Sequence, residues 1–267
     1  MNRRVLTTSL VAAVGLTLAG PTLSAAPAKA GPKLTGPPLT GMWDYVGRVG
    51  VNAKMAAPPG TPQVMAMIAK RRAAADKGVV RNIANLLCLP TGFPQLMNWK
   101  SPIEVLESPG RVTILTEHDP GNDEPRTVYL DRKAMPADTA PSWNGYSVGH
   151  WDGKALVIKT ENFNERASLF QSVPRTPGTK VTERLTLAEG GKVLLDEMTI
   201  VDPTVLTQPW IVTLRYARMP AGTERLEAVC EPDLEALRTT DLKAIKDIDP
   251  EAARLLDPKN GYNPGGK

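Results

Sequence analysis

The chain has 267 residues, of which 42% are hydrophobic, with 32 Lys and Arg set against 28 Asp and Glu. That is enough apolar material for one substantial core, and a net charge of +4 without a long basic run argues against nucleic acid as a partner. Two cysteines and two histidines without ligand spacing offer no metal centre, and no phosphate loop or dinucleotide fingerprint stands in a suitable setting, so no cofactor is expected.

Residues 1–30 show the three parts of a secretory signal in order: Arg3 and Arg4, an apolar run from Val5 to Ala19, and small residues at a cut after Ala25 or Ala30. The run is too short, and too broken by Thr7, Thr8, Ser9 and Thr17, to cross about 30 Å of hydrocarbon, so no stable membrane insertion is expected after cleavage. Arg3-Arg4 before Val5-Leu6 is a partial twin-arginine pattern, but Thr7 stands where that signal prefers a second apolar residue, so the pair is read as an ordinary basic end. Arg3, Arg4 and Lys29 are the only charges in this segment. Its removal therefore takes away three of the four net charges and leaves a nearly neutral periplasmic or secreted protein, read as one domain. An oxidising compartment would permit Cys88 and Cys230 to join.

Residues 31–38 are rich in Pro, Gly and Lys without periodicity and are expected to be a flexible leader, with structure from Leu39. A strand over Trp43 to Val49 precedes the breaker Pro58-Pro59-Gly60-Thr61-Pro62. A helix over 62–77 follows, capped by Thr61, with Val64, Met67, Ile68 and Ala75 on its apolar face.

From Ile103 to Cys230 the period changes to two. Strands are predicted at 103–107, 111–117, 126–131, 144–151, 154–161, 180–187, 192–201, 210–219 and 224–230. Pro109-Gly110, Asp152-Gly153, Gly190-Gly191 and Ala221-Gly222 supply tight-turn chemistry, and successive hairpins imply an antiparallel meander. The expected fold is mainly β, a meander closed into a barrel of about 8–10 strands over residues 39–235, because closure removes the sheet edges. An open sandwich is the alternative. Residues 236–267 read as a helical tail with a disordered end, its stripe of Leu242, Ile245, Ile248, Leu255 and Leu256 interrupted at Pro250.

Gly41-Met42-Trp43 at the entry to the first strand resembles the Gly-x-Trp start of lipocalins, which implies a lipocalin-like barrel holding an apolar ligand. A broader resemblance rests on Cys88-Leu89-Pro90, Pro109-Gly110-Arg111-Val112, Trp143-Asn144-Gly145-Tyr146-Ser147, Thr182-Glu183-Arg184, Asp202-Pro203 and Pro209-Trp210. In this order the motifs are similar to those of an uncharacterised family of secreted bacterial proteins, and the resemblance implies export and a β-rich fold. Members often carry Gly-Arg and His-Pro where this chain reads Arg132-Lys133-Ala134-Met135-Pro136, and His-Ser where it has Gly178-Thr179. The missing histidines shift weight from enzyme toward binding protein.

With a turn at Gly190-Gly191, facing residues sum to 381: Arg184 faces Glu197, while Glu183 and Asp196 fall on the apolar face. Desolvation and mutual repulsion there would raise at least one pKa, as general acid or base work requires. The alternative is that both acids pair with basic side chains such as Arg215. A turn at Asp152-Gly153 would set His150 opposite Ala155 and Tyr146 opposite Lys159, making His150 a candidate rim base. His118 stands before an acidic loop without calcium-site spacing. Glu117, Tyr129 and Asp131, at strand ends, are candidates to orient a ligand at the mouth, with Trp151 and Trp210 as aromatic walls. Gly145-Tyr146-Ser147-Val148-Gly149 spells a nucleophile elbow but runs into a hairpin, not a helix.

Three functions follow: a barrel binding a small, largely apolar molecule in its lumen; an isomerase, hydratase or hydrolase using Glu183 with Asp196 or His150; or a structural protein of the envelope.

Overall fold

The computed structural model describes residues 36–50, 57–77, 88–117, 125–227 and 229–231. The signal-like segment, His118 and the expected C-terminal helical tail lie outside them. The described strands are β1 (Gly41–Val49), β2 (Ile103–Ser108), β3 (Arg111–Thr116), β4 (Arg126–Tyr129), β5 (Tyr146–Asp152), β6 (Ala155–Glu161), β7 (Lys180–Ala188), β8 (Val193–Val201) and β9 (Trp210–Arg218). Helix α1 (Pro62–Asp76) stands between β1 and β2.

Strands adjacent in sequence are adjacent in the sheet, and β1 pairs with β9 to close a barrel. Every pairing is antiparallel except β4–β5. The pure meander is thus corrected at one place, for a geometric reason. Strand direction must return to itself after one circuit, which needs an even number of reversals, so nine strands need a parallel neighbour. Residues 130–145 make that crossover, held on the way by a bridge from Ser142 to Phe163.

The predicted strand at 224–230 is absent: residues 224–227 and 229–230 are irregular. β1 already occupies the free edge of β9, so no edge is left for another strand. Cys230 is instead bonded to Cys88, with 5.7 Å between their Cα atoms. The β7–β8 register places Arg184 opposite Glu197 and Thr182 opposite Thr199, as the turn implied. The β5–β6 register is shifted by two residues from expectation, with His150 opposite Val157 and Tyr146 opposite Glu161. Asp152 pairs with Ala155, so Gly153 and Lys154 make the corner, and Gly153 takes the left-handed conformation at φ 58°. A shift of two preserves which side chains face inward.

The inward faces carry a continuous apolar core that includes Trp43, Ile103, Ile114, Leu156, Leu185, Met198 and Leu214. The outer faces carry exposed Lys159, Lys180, Arg184 and Glu197, where a lipid-facing barrel would need an apolar band. No helix among the described residues is long and apolar enough to cross a membrane.

The two ends of the barrel differ. Tight turns at 109–110, 153–154 and 189–192 lie at one end, because β2, β5 and β7, which they follow, run in the same direction; the long links after β1, β6 and β8 lie at the other. The long-link end is plugged. Helix α1 begins there, with the Thr61 hydroxyl accepting from Val64 N at 3.4 Å and Thr61 N donating to Val205 O at 3.0 Å. Its buried residues are Val64, Ile68 and Ala74, while Ala75 is exposed. Phe170 stands edge-on to Trp210, 5.8 Å between centroids. Arg175 ties the plug together through the carbonyls of Phe93 (2.5 Å), Trp143 (2.9 Å) and Asn164 (2.9 Å), and burial pulls its pKa down to about 9.

The hairpin end is crossed by residues 36–40. Leu39 is fully buried, and Glu107 Oε2 accepts from Leu39 N (2.7 Å) and Thr40 N (3.0 Å). Arg218 donates to Pro38 O (3.2 Å) and Thr40 O (3.0 Å). Residues 36–38, expected in the flexible leader, are therefore docked.

Candidate functional site

Inside the barrel, Glu183 and Asp196 are both 0% exposed, on adjacent strands one inward-facing position apart. Their alternation with Val181, Leu185, Leu194 and Met198 leaves them no outward choice, since strand side chains point to opposite faces in turn. The cation that answers Glu183 is Arg126, from the start of β4, and not Arg215, which pairs with Glu189 at 2.7 Å. Arg126 grips Glu183 with both terminal nitrogens: Nη1 donates to Oε1 at 2.7 Å and Nη2 to Oε2. Nη2 also reaches Thr160 Oγ1 (3.2 Å) and Ser147 Oγ (3.4 Å), and these two hydroxyls share a hydrogen bond of 2.8 Å. The guanidinium lies over the Phe93 ring, 3.7 Å from its centroid.

Asp196 has no such answer. Neither carboxyl oxygen has a hydrogen-bond partner among the described residues. Burial first, and the Glu183 charge second, hold its pKa well above the ordinary carboxylate range, against a smaller opposing pull from Arg126. Tyr216, also buried, has its hydroxyl pushed up in pKa by burial and then by Asp196, and it donates to the Met97 carbonyl.

Sequence reasoning placed Glu183 and Asp196 together and missed Arg126, Ser147 and Thr160. The signal was the phase: Arg126 is in step with inward Val128, Ser147 with Gly149, and Thr160 with Ile158. A polar residue on the buried phase of a strand marks an interior contact.

The other predicted residues are not brought to this centre. His150 is exposed on the outer face, because inward Gly149 and Trp151 flank it. Tyr129 also faces outward, stacked on Tyr146 at 5.0 Å with Arg132 over its ring at 4.0 Å. Glu117 and Asp131 lie at opposite ends, since β3 and β4 run antiparallel and their C-terminal ends point apart. Glu117 accepts from Leu226 N at 3.0 Å, and Asp131 packs beside Gly110. Trp210 belongs to the plug. Trp151 does stand at the hairpin end, flat against Gly36: a Cβ on Gly36 would come within 2.2 Å of the indole carbons.

A cleft of about 930 Å³ opens on the surface at the hairpin end, between the docked segment and the β5–β6 and β7–β8 turns. Pro37, Pro38, Leu187 and Ala188 give it apolar walls, and Lys154, Lys192 and Arg218 line it with positive charge. Leu187 pairs with Leu194, and Asp196 is the next inward position along β8, about 7 Å deeper at the usual strand rise. Among the described residues no cluster of His, Cys, Asp and Glu could hold a metal ion.

Fold and site together define a closed β-barrel with a filled, ionically cross-linked interior and a cavity at its hairpin end. No family model matches the chain, and no curated protein matches it. Among solved structures, it is similar to the fluorescent protein UnaG, at 13% identity over 68% of this chain and 97% of that one, with a TM-score of 0.34. It is also similar to secretory abundant heat soluble protein 4 from Ramazzottius varieornatus, at 12% identity over 71% of this chain and all of that one, with a TM-score of 0.32.

Proposed function

We propose that this protein is an exported β-barrel that binds a small, largely apolar molecule in the cleft at its hairpin end, outside the filled interior. The observation that carries the reading is the cavity of about 930 Å³ with Pro37, Pro38, Leu187 and Ala188 in its walls. Binding sites for small molecules are concave, mostly apolar and of this size. Export is supported by the signal-like residues 1–30 and by the Cys88–Cys230 disulfide, a bond that persists in oxidising compartments. The test is native mass spectrometry of protein purified from the periplasm. A small-molecule adduct is expected on the wild type and its loss on Ala188→Trp, which fills the cavity. Equal adduct on both proteins would place the ligand elsewhere.

A second reading, acid or base catalysis on a lipophilic substrate, is favoured by Asp196 alone. A buried acid without a partner lowers stability, and perturbed carboxyls of this kind gather at reactive sites. Glu183 is less suited to the role because Arg126 holds both its oxygens. In a metabolite-turnover screen, activity lost in Asp196→Asn but kept in Ala188→Leu would support catalysis; unchanged turnover in Asp196→Asn would refute it.

A further inference from the structure

The charges around the cavity specify more than an apolar ligand. Its lining holds three cations, Lys154, Lys192 and Arg218, and one acid, Glu189. Glu189 is already neutralised, by Arg215 at 2.7 Å. Among the described residues Arg218 bonds only carbonyls, those of Gly191 (2.8 Å), Thr40 and Pro38, and lies over Trp43 at 4.0 Å, so no described carboxylate offsets it. Lys154 and Lys192 make no side-chain ion pair among the described residues and sit in the β5–β6 and β7–β8 turns, on either side of the apolar wall formed by Leu187 and Ala188. The result is an apolar cleft with a positive rim.

Resting on the cavity reading above, we propose that the ligand is an amphipathic anion. Its apolar body lies against Pro37, Pro38, Leu187 and Ala188, and a carboxylate or comparable anionic head is held between Lys154 and Lys192. A neutral apolar molecule would leave the two ammonium groups without a counter-charge. An apolar cation would be repelled by them and by Arg218. Each lysine is solvent-exposed, so each contributes modestly, and the pair together favours an anion over its uncharged analogue by about tenfold.

The experiment measures calorimetric affinity for three probes of equal chain length, dodecanoate, dodecanol and dodecyltrimethylammonium, below their aggregation concentrations. Dodecanoate is expected to bind about tenfold more tightly than dodecanol, with the ammonium probe weakest, and its advantage is expected to shrink from 50 to 500 mM NaCl. In the double variant Lys154→Glu/Lys192→Glu the order of dodecanoate and the ammonium probe should reverse while dodecanol is unchanged. Both lysines are in exposed turns, and circular dichroism checks that the variant is folded. Equal binding of dodecanoate and dodecanol, both lost in Ala188→Trp, would overturn the anionic head and leave the cavity reading standing. Binding of all three probes unaffected by Ala188→Trp would overturn the cavity reading itself. Failure of dodecanoate to bind the wild type would overturn the amphipathic anion.

Discussion

Replacing Asp196 by Leu is expected to stabilise the protein, an unusual direction for a fully buried side chain. The carboxyl is 0% exposed, no partner bonds either oxygen, and burial with the Glu183 charge raises its pKa. In the unfolded chain an aspartate titrates near about 3.9. Between that value and the raised native one, the native state holds a proton that the unfolded state has released. Stability therefore falls as pH rises, by about 1.4 kcal/mol per pH unit, until pH passes the native pKa. Below about pH 3.9 both states are protonated and the penalty vanishes. Leucine suits the surroundings, which are Leu185 and Leu214 on the paired strands with Leu194 and Met198 on the same face. Asp196→Leu should gain about 1–3 kcal/mol at pH 7 and lose this part of the pH slope. Urea unfolding at half-unit steps from pH 4.5 to 7.5 measures both, with Asp196→Asn as the variant that removes titration but keeps polarity. A leucine variant that is less stable than wild type, with the wild-type slope intact, would show that the carboxyl is held by a partner and refute the reasoning.

Arg126→Met should cost about 3–5 kcal/mol, because it leaves buried Glu183 without its cation, and the double variant Arg126→Met/Glu183→Leu should recover most of that loss; chemical denaturation of the wild type and the two variants decides it. Gly36→Val should detach residues 36–38, since its Cβ meets the Trp151 indole, and so weaken dodecanoate binding at least about tenfold with less than about 1 kcal/mol change in stability. Calorimetry and proteolysis of the 36–38 segment report the two effects. Cys88→Ser/Cys230→Ser opens a covalent loop spanning a sequence separation of 142 and should lose about 5 kcal/mol on the chain-entropy account. A reductant should lower the wild-type melting temperature toward that of the variant and leave the variant unmoved.

Much of the barrel is legible in the linear order of residues. Period-two alternation marks the strands, Pro-Gly, Asp-Gly and Gly-Gly mark the hairpins, and Thr61-Pro62 marks the start of α1, because these depend on local backbone preferences. The β7–β8 register, and with it the shared face of Glu183 and Asp196, follows from one turn and the pleat. What local chemistry does not contain is partnership across distance. Arg126 is 57 residues from Glu183, and only closure of the barrel brings them into contact. The parallel β4–β5 pair is likewise a condition on the whole circuit. The seating of Gly36 on Trp151, and the cavity beside it, exist because Glu107 and Arg218 capture a segment whose own composition predicts freedom. The sequence alone therefore determined the nine strands that form and the shared face of Glu183 and Asp196, which are set by neighbours along the chain, but not the absence of a strand at 224–230 or the two-residue shift of the β5–β6 register. Tertiary structure alone decided which acid is paired, which carboxyl is left without a partner, and where the surface cleft forms, because each depends on side chains that meet only after closure.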